Sequence, residues 1–261
     1  MSQKVFKPMS ENLEKNETYV SHLVELRDRV LRSILMLFLC FLGLVSWAPD
    51  IYNVFADPLI SALPPGVSMI ATDVVAPFFV PIKVTFFVAF IISLPFSLWQ
   101  IWSFVEPALY SDEKKLALPV VLSSFLLFLA GMAFAYFVVF PAAFSFIIAF
   151  SPSEVEIATD IDKYFSFVMS LFLIFGLSFE TPVVQMLLVR LDFVSLEKMV
   201  VFRPYFIVLA FVIAAIVTPP DVVSQLMLAL PLCMLFELGI FLSKSIALKS
   251  KRSSSSKRNS S

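Results

Sequence analysis

Charge is scarce in this 261-residue chain: Asp, Glu, Lys and Arg together make up 15% of it, beside one histidine and two cysteines. A lone His22 supplies neither a histidine-based metal site nor a Ser/His dyad, and no HExxH run is present. It reads as a capping or polar interfacial residue rather than a proton carrier. Cys40 and Cys233 lie inside apolar stretches without metal-ligand spacing, so they read as small buried hydrophobes and not as a disulfide. The first 29 residues have no apolar core and no small-residue cleavage site, so no cleavable signal peptide is expected and the first apolar span acts as its own insertion signal. Lys and Arg are missing from long stretches. Residues 49–80 hold Asp50, Asp57 and Asp73 but no Lys or Arg.

What is present is apolar. Hydrophobic residues make up 59% of the chain and its mean hydropathy is +0.92, far outside the range of soluble domains. Thirty Phe against five Gly suggest tightly packed, lipid-exposed helices. The net charge of −1 carries no message, because charge is sorted by position. Of 19 Lys and Arg, 17 fall in the N-terminal arm, two internal connections and the tail, while Lys83 and Lys163 sit at the ends of apolar spans. Cytoplasmic loops keep Lys and Arg and translocated loops are depleted of them, so this distribution orients the chain.

A helix needs about 20 apolar residues to cross a bilayer. Candidate spans cover about 30–49, 83–105, 118–146, 164–189, 204–218 and 222–243. The third lies in 38 uncharged residues between Lys115 and Glu154, long enough for one helix or a hairpin turning at Ala130-Gly131. A hairpin would move Arg190, Lys198, Arg203 and the basic tail to the translocated side, so one span is expected there. The result is an all-α membrane protein of six spans with both termini cytoplasmic. Spans five and six are short: about 16 residues reach about 24 Å, against a hydrocarbon core of about 30 Å. Short spans thin the bilayer or recruit partner helices. Residues 49–80, rich in Pro, are expected to form a structured external cap of short interfacial helices. The arm (1–18) and the Lys/Arg/Ser tail (244–261) flank the 19–243 membrane domain, and the tail reads as a disordered topogenic segment able to touch anionic lipid.

Three segments carry a resemblance. They are Ser21-His22-Leu23-Val24-Glu25-Leu26-Arg27 before span one; Phe104 through Pro107-Ala108-Leu109-Tyr110 to Glu113-Lys114-Lys115 in the first cytosolic loop; and Thr218-Pro219-Pro220-Asp221 with Ser224-Gln225 at the turn into span six. Met69-Ile70-Ala71-Thr72-Asp73, Gly131-Met132-Ala133-Phe134 and Ser178-Phe179-Glu180-Thr181-Pro182 extend it over about residues 19–243. With these blocks the chain resembles TatC, the receptor subunit family of the twin-arginine protein translocase. The resemblance implies a curved, concave six-helix bundle that is not an enzyme and has no cofactor. It implies a receptor that binds signal peptides carrying paired arginines, gathers single-span TatA-like and TatB-like partners and further copies of itself, and exports folded proteins on the proton motive force. The system sits in the cell inner membrane, with lipid as its surroundings and no nucleic acid.

The resemblance assigns Glu25 and Glu113 to the arginine pair. Charge sorting independently puts both at the cytosolic rim, and the rigid guanidinium fork matches a carboxylate bidentately. Arg27 would orient Glu25 or face lipid phosphate, and Arg29 and Arg32 read as topology signals and snorkelling anchors. Phe104 is either an apolar wall beside the pocket or a belt aromatic. Asp28 stands where many members carry a basic residue, and Glu106 adds a third carboxylate on the same side. Glu180 lies ten residues before Arg190, about 15 Å along a helix and so near the midplane, where an acidic group costs about 2.5–3.5 kcal/mol on insertion scales. It is either a polar spot for signal peptide or partner helix, or a hydrogen-bonded structural residue. Thr218 and Gln225 form the polar patch for TatA/TatB-like partners, and Asp221 caps span six. Pro58 and Asp73 are assigned to the cap. The competing function, a six-span secondary transporter of a small solute, would require internal repeats and converging midplane polar groups, which the chain does not display.

Overall fold

The computed structural model describes residues 7–61, 68–105, 117–149, 158–190, 193–217 and 222–258. Helices α1 (Lys7–Leu44), α2 (Ala48–Ser61), α3 (Ala76–Val105), α4 (Ala117–Phe134), α5 (Phe140–Ala149), α6 (Ile161–Phe179), α7 (Thr181–Arg190), α8 (Leu196–Val217) and α9 (Val222–Arg258) are joined by two three-residue strands, β1 (Ser68–Ile70) and β2 (Ala158–Asp160). Among the described residues six helical stretches are long and apolar enough to cross a bilayer: His22–Asp57, Ala76–Phe104, Leu118–Ala143, Ile161–Arg190, Leu196–Val217 and Gln225–Ser245.

The described part of the 38 uncharged residues, 117–149, forms one span. Helix α4 runs into α5 through a π-helical turn, Ala135–Val139, with no reversal at Ala130-Gly131. Gly131 is instead a contact point between helices. A Cβ there would lie 2.8 Å from the carbonyl carbon of Phe175, so its absence lets the backbones of α4 and α6 meet. One turn earlier on α4, Phe128 covers Gly176 of α6 from the other direction.

The last two spans are the shortest, yet at 22 and 21 residues they reach about 33 and 32 Å, enough for a hydrocarbon core of about 30 Å, rather than the about 24 Å expected from the sequence. Helix α8 begins eight residues before Pro204, because Lys198 and Arg203 are no obstacle to helix formation even where they end an apolar run. Arg203 is held by a partner: its Nη2 donates to Glu237 Oε2 of α9 at 2.7 Å.

Helix α3 packs against α1 on one side and α4 on the other; α4 packs on α6, and α9 joins α7 and α8. Aromatic side chains fill the seam between α2, α3 and α6. Phe87 stacks on Phe172 with centroids 6.2 Å apart, Phe55 meets both Phe87 and Phe172 edge-on, and Tyr52 leans on Phe165 at 5.1 Å. The Phe surplus is therefore divided, with one set buried in this seam and another, including Phe38, Phe78, Phe137 and Phe241, exposed on the outside.

The cap is built partly from helix α2 and partly from an unexpected feature, the parallel pairing of β1 with β2 in register Met69 with Thr159. Three-residue strands leave no alternation to read. One side chain ties the two connections together. Asp160 N-caps α6 by accepting from the Asp162 and Lys163 amides at 3.0 and 3.1 Å, and its other oxygen accepts from the Thr72 amide at 3.0 Å and from the Thr72 hydroxyl. The Thr72 hydroxyl, followed by the backbone amides, lowers the Asp160 carboxyl to about 2. A carboxyl depressed in this way stabilises the fold fully above its ordinary value of 3.8, and that contribution is lost as pH falls through about 2. The Asp160→Asn variant in detergent is therefore expected to melt below the parent at pH 7, with the two melting temperatures converging as pH drops from 4 towards 2. A constant difference across that window would contradict it. Asp73 caps the start of α3: its side chain accepts from the Val75 amide at 3.2 Å and its carbonyl from the Ala76 amide at 3.2 Å. Pro58 lies in the last turn of α2, and its side chain is outside the described residues.

Candidate functional site

Helix α1 continues well beyond its apolar part towards the N-terminus, and this extension carries Glu25, Arg27, Asp28, Arg29 and Arg32. Arg29 stands one turn after Glu25, the spacing at which side chains on a helix meet. Its Nε and Nη2 both donate to Glu25 Oε1, at 3.0 and 2.6 Å. His22 Nδ1 lies 3.9 Å from the other carboxylate oxygen. Arg27 turns away from Glu25 and makes a two-pronged contact with Asp28, at 3.0 and 2.8 Å to the same oxygen. Glu25, Arg29 and Arg32 border a recess of about 410 Å³ with Asp28 and Val24. The Glu25 side chain is 35% exposed, so it is anchored without being sealed off.

Phe104 comes to the same level from the neighbouring helix. Successive spans run in opposite directions, and Phe41 of α1 meets Phe86 of α3 edge-on at 5.7 Å. Sixteen residues separate Phe41 from Glu25 and eighteen separate Phe86 from Phe104, about 24 and 27 Å along their helices. Glu25 and the half-buried Phe104 thus stand at the same end of a packed helix pair. Glu113 and Glu106, on the connection that follows α3, lie outside the described residues, as do Thr218 and Asp221. Gln225 is in the first turn of α9 and half-buried.

Glu180 occupies the joint between α6 and α7, where the Glu180 amide bonds the Leu177 carbonyl at 3.1 Å and Pro182 begins the next helix. Its carboxyl is beside the buried hydroxyl of Ser124 on α4, while its Oε1 is buried with no hydrogen-bond partner. It belongs to the α4–α6 seam and is not part of the Glu25 recess.

Three further residues take on contacts that the sequence does not announce. Gln185, 5% exposed, has neither amide atom hydrogen-bonded and presses on Gly239, where a Cβ would come 2.7 Å from its Cδ. Lys83, at first only a charge at a span end, donates to Asp162 Oδ1 at 2.5 Å. Arg29, read as an anchor, is the resting partner of Glu25. The four-residue spacing between Glu25 and Arg29 was the available signal for the last; nothing local announces the other two.

The arrangement offers a partly exposed carboxylate held by an arginine, an aromatic residue at the same end of the helix pair and six helical stretches long enough to cross a bilayer. Residues 21–231 match the family model for the Sec-independent protein translocase protein (TatC). The chain belongs to the TatC family. It is 50% identical over 233 residues to the TatC of Escherichia coli (strain K12), covering 89% of this chain and 90% of that protein. It is 46% identical to the TatC of Haemophilus influenzae over 89% and 91% of the two chains, and 41% identical to that of Aquifex aeolicus over 88% and 96%. A crystal structure of the twin-arginine translocase receptor TatC superposes with a TM-score of 0.78 at 40% identity, over 85% of this chain and 98% of that one. TatC is a protein-translocase component, a transport family rather than a catalytic one, and this member is a multi-pass membrane protein. The small-solute transporter reading finds no support in these matches.

Proposed function

We propose that this TatC is the signal-peptide receptor and core subunit of a twin-arginine translocase, set in the cell inner membrane with both termini in the cytoplasm. The observation that carries the reading is the partly exposed Glu25 carboxylate at the end of a helix pair, the end at which Phe104 also stands. An arriving arginine meets an acidic group that already holds a guanidinium. The Glu25–Arg29 pair is half-buried, so an arriving guanidinium exchanges with Arg29 in a partly desolvated site where a hydrogen bond to a charged group is worth about 1.5–3 kcal/mol. The bond of the second arginine to Glu113 is what makes the exchange favour the peptide. Glu113 takes the second arginine from the adjoining connection, and Phe104 backs the start of the peptide's apolar segment. Arg27, paired with Asp28, faces lipid phosphate at the rim rather than aligning Glu25.

Orientation rests on the Lys and Arg distribution: the side carrying α1's N-terminal extension is rich in them, and the cap side has Lys83 neutralised by Asp162. Glu180 presents a polar spot within the bundle to signal peptide or partner helix. Thr218 and Gln225 receive single-span TatA-like and TatB-like partners at the turn into the last span. Further copies of the chain complete the assembly, and the proton motive force drives export of folded cargo.

A photoreactive residue at position 104 tests the receptor reading. It is expected to capture a twin-arginine signal peptide, and to do so less with a twin-lysine version; equal capture of both, or none, would refute it. For the partner patch, Gln225→Leu is expected to reduce co-purification of the single-span partners several-fold while signal-peptide affinity stays within twofold. Normal partner stoichiometry would count against that assignment.

A further inference from the structure

A second groove lies on the membrane-facing surface at the cap end of the bundle, away from the Glu25 recess. It has a volume of about 440 Å³ and runs between α1, α3 and α6, lined by Phe41, Phe79, Phe86, Phe90, Met169 and Leu173. Lys83 lies on the same wall, and its Nζ rises to the Asp162 carboxylate in the first turn of α6. From Asp162 down to Leu173 is eleven residues, about 16 Å of helix. One leaflet of a hydrocarbon core about 30 Å thick is about 15 Å deep. The groove therefore has the length of one acyl chain, with a charged pair at its mouth.

The mouth also has the charge pattern of one class of headgroup. An ammonium has three donors and a carboxylate about four acceptor sites, so the single 2.5 Å bond between Lys83 and Asp162 saturates neither. Their side chains remain 46% and 37% exposed. A cation beside an anion complements a headgroup that carries both a phosphate and a primary ammonium: the phosphate accepts from Lys83 Nζ, and the ammonium donates to Asp162. A headgroup with a quaternary ammonium has no N–H to give Asp162, and one with only a phosphate leaves the carboxylate facing a like charge. Asp160 is engaged elsewhere, by Thr72 and the first amides of α6.

We infer that the groove between α1, α3 and α6 is a binding site for one zwitterionic phospholipid with a primary-amine headgroup, taken from the leaflet at the cap side, its phosphate on Lys83 and its ammonium on Asp162. Such a lipid seals the seam between α1 and the remaining bundle, where α1 has α3 as its principal neighbour.

Native mass spectrometry of the delipidated full chain, titrated with phosphatidylethanolamine, phosphatidylcholine and phosphatidylglycerol of the same acyl chains, tests this. One phosphatidylethanolamine is expected to bind at least tenfold more tightly than either other lipid. Lys83→Gln is expected to remove the preference. Met169→Trp, which fills the groove and leaves the ion pair in place, is expected to abolish the tight site even if the Lys83 variant fails to fold. Equal binding of the three lipids, or a preference untouched by Met169→Trp, would overturn the site and leave only annular lipid. Displacement of no lipid, with a signal peptide crosslinking into the groove at Phe86 instead, would overturn it as well.

Discussion

Replacing Glu25 with alanine is expected to weaken binding of a twin-arginine signal peptide by about tenfold to a hundredfold, and Glu113→Ala by a similar factor. The magnitude follows from the loss of about 1.5–3 kcal/mol when one partner of a charge-assisted hydrogen bond is removed. The alternative source of a large effect, collapse of the helix, is too small to produce it. Glu25 is 35% exposed and its partner Arg29 lies one turn along the same helix, so truncation removes a contact within α1 rather than one between helices, and α1 stays inserted and packed on α3. Arg29 then loses its resting partner and adds an unpaired positive charge beside the vacant site, which repels an arginine further. The check is a binding isotherm with purified protein in nanodiscs, together with a protease-protection assay for insertion. Both variants exporting a folded cargo at the parental rate would show the assignment of these carboxylates to be wrong.

The second large effect is structural. Gly131→Val is expected to destabilise the bundle by about 3 kcal/mol or more, and to separate α4 from α6. A Cβ at this position would lie 2.8 Å from the Phe175 carbonyl carbon and 3.0 Å from the Gly176 Cα, and neither backbone atom can swing aside as a side-chain tip would. Overpacking of a core commonly costs about 1–3 kcal/mol, and a clash with backbone lies at or beyond the top of that range. Phe128, which packs over Gly176, moves with the displaced helix. Gly43→Val is the matched control: nothing lies within 4 Å of a Cβ built there, and its effect is expected to be under about 0.5 kcal/mol. Thermal unfolding in detergent distinguishes the two, and equal melting temperatures for the two variants would contradict the packing account.

Gly131 also illustrates what the sequence could and could not convey. Its neighbours fit a weak turn or a continuous helix equally well, and only the sorting of Lys and Arg decided for one span. Lys and Arg sort against the membrane whatever the helices touch. Contacts between distant residues leave no such trace. Lys83 and Asp162 are 79 positions apart, Arg203 and Glu237 34, and Thr72 and Asp160 88, and no local pattern announces such pairs. The strands β1 and β2 were hidden because three residues carry no alternation. Arg27 reads from the sequence as orienting Glu25 or facing lipid phosphate; residues two apart on a helix point in different directions, and its fork lies on Asp28. Arg29, one turn along, was the better candidate by that same geometry. Glu180 was legible as an expensive residue from its position alone, but its place at the α6–α7 joint beside Ser124 depends on the break at Pro182 and on the packing of α4.

Direct recognition of a signal-peptide arginine by Glu25 is measurable in a double-mutant cycle. The four affinities are those of the parent chain and Glu25→Gln, each with the twin-arginine peptide and with a peptide carrying glutamine in place of one arginine. For one of the two arginines, a coupling of about 1 kcal/mol or more is expected, so that the second change costs little once the first is made. Independent, additive losses at both arginines would show that Glu25 does not contact the pair.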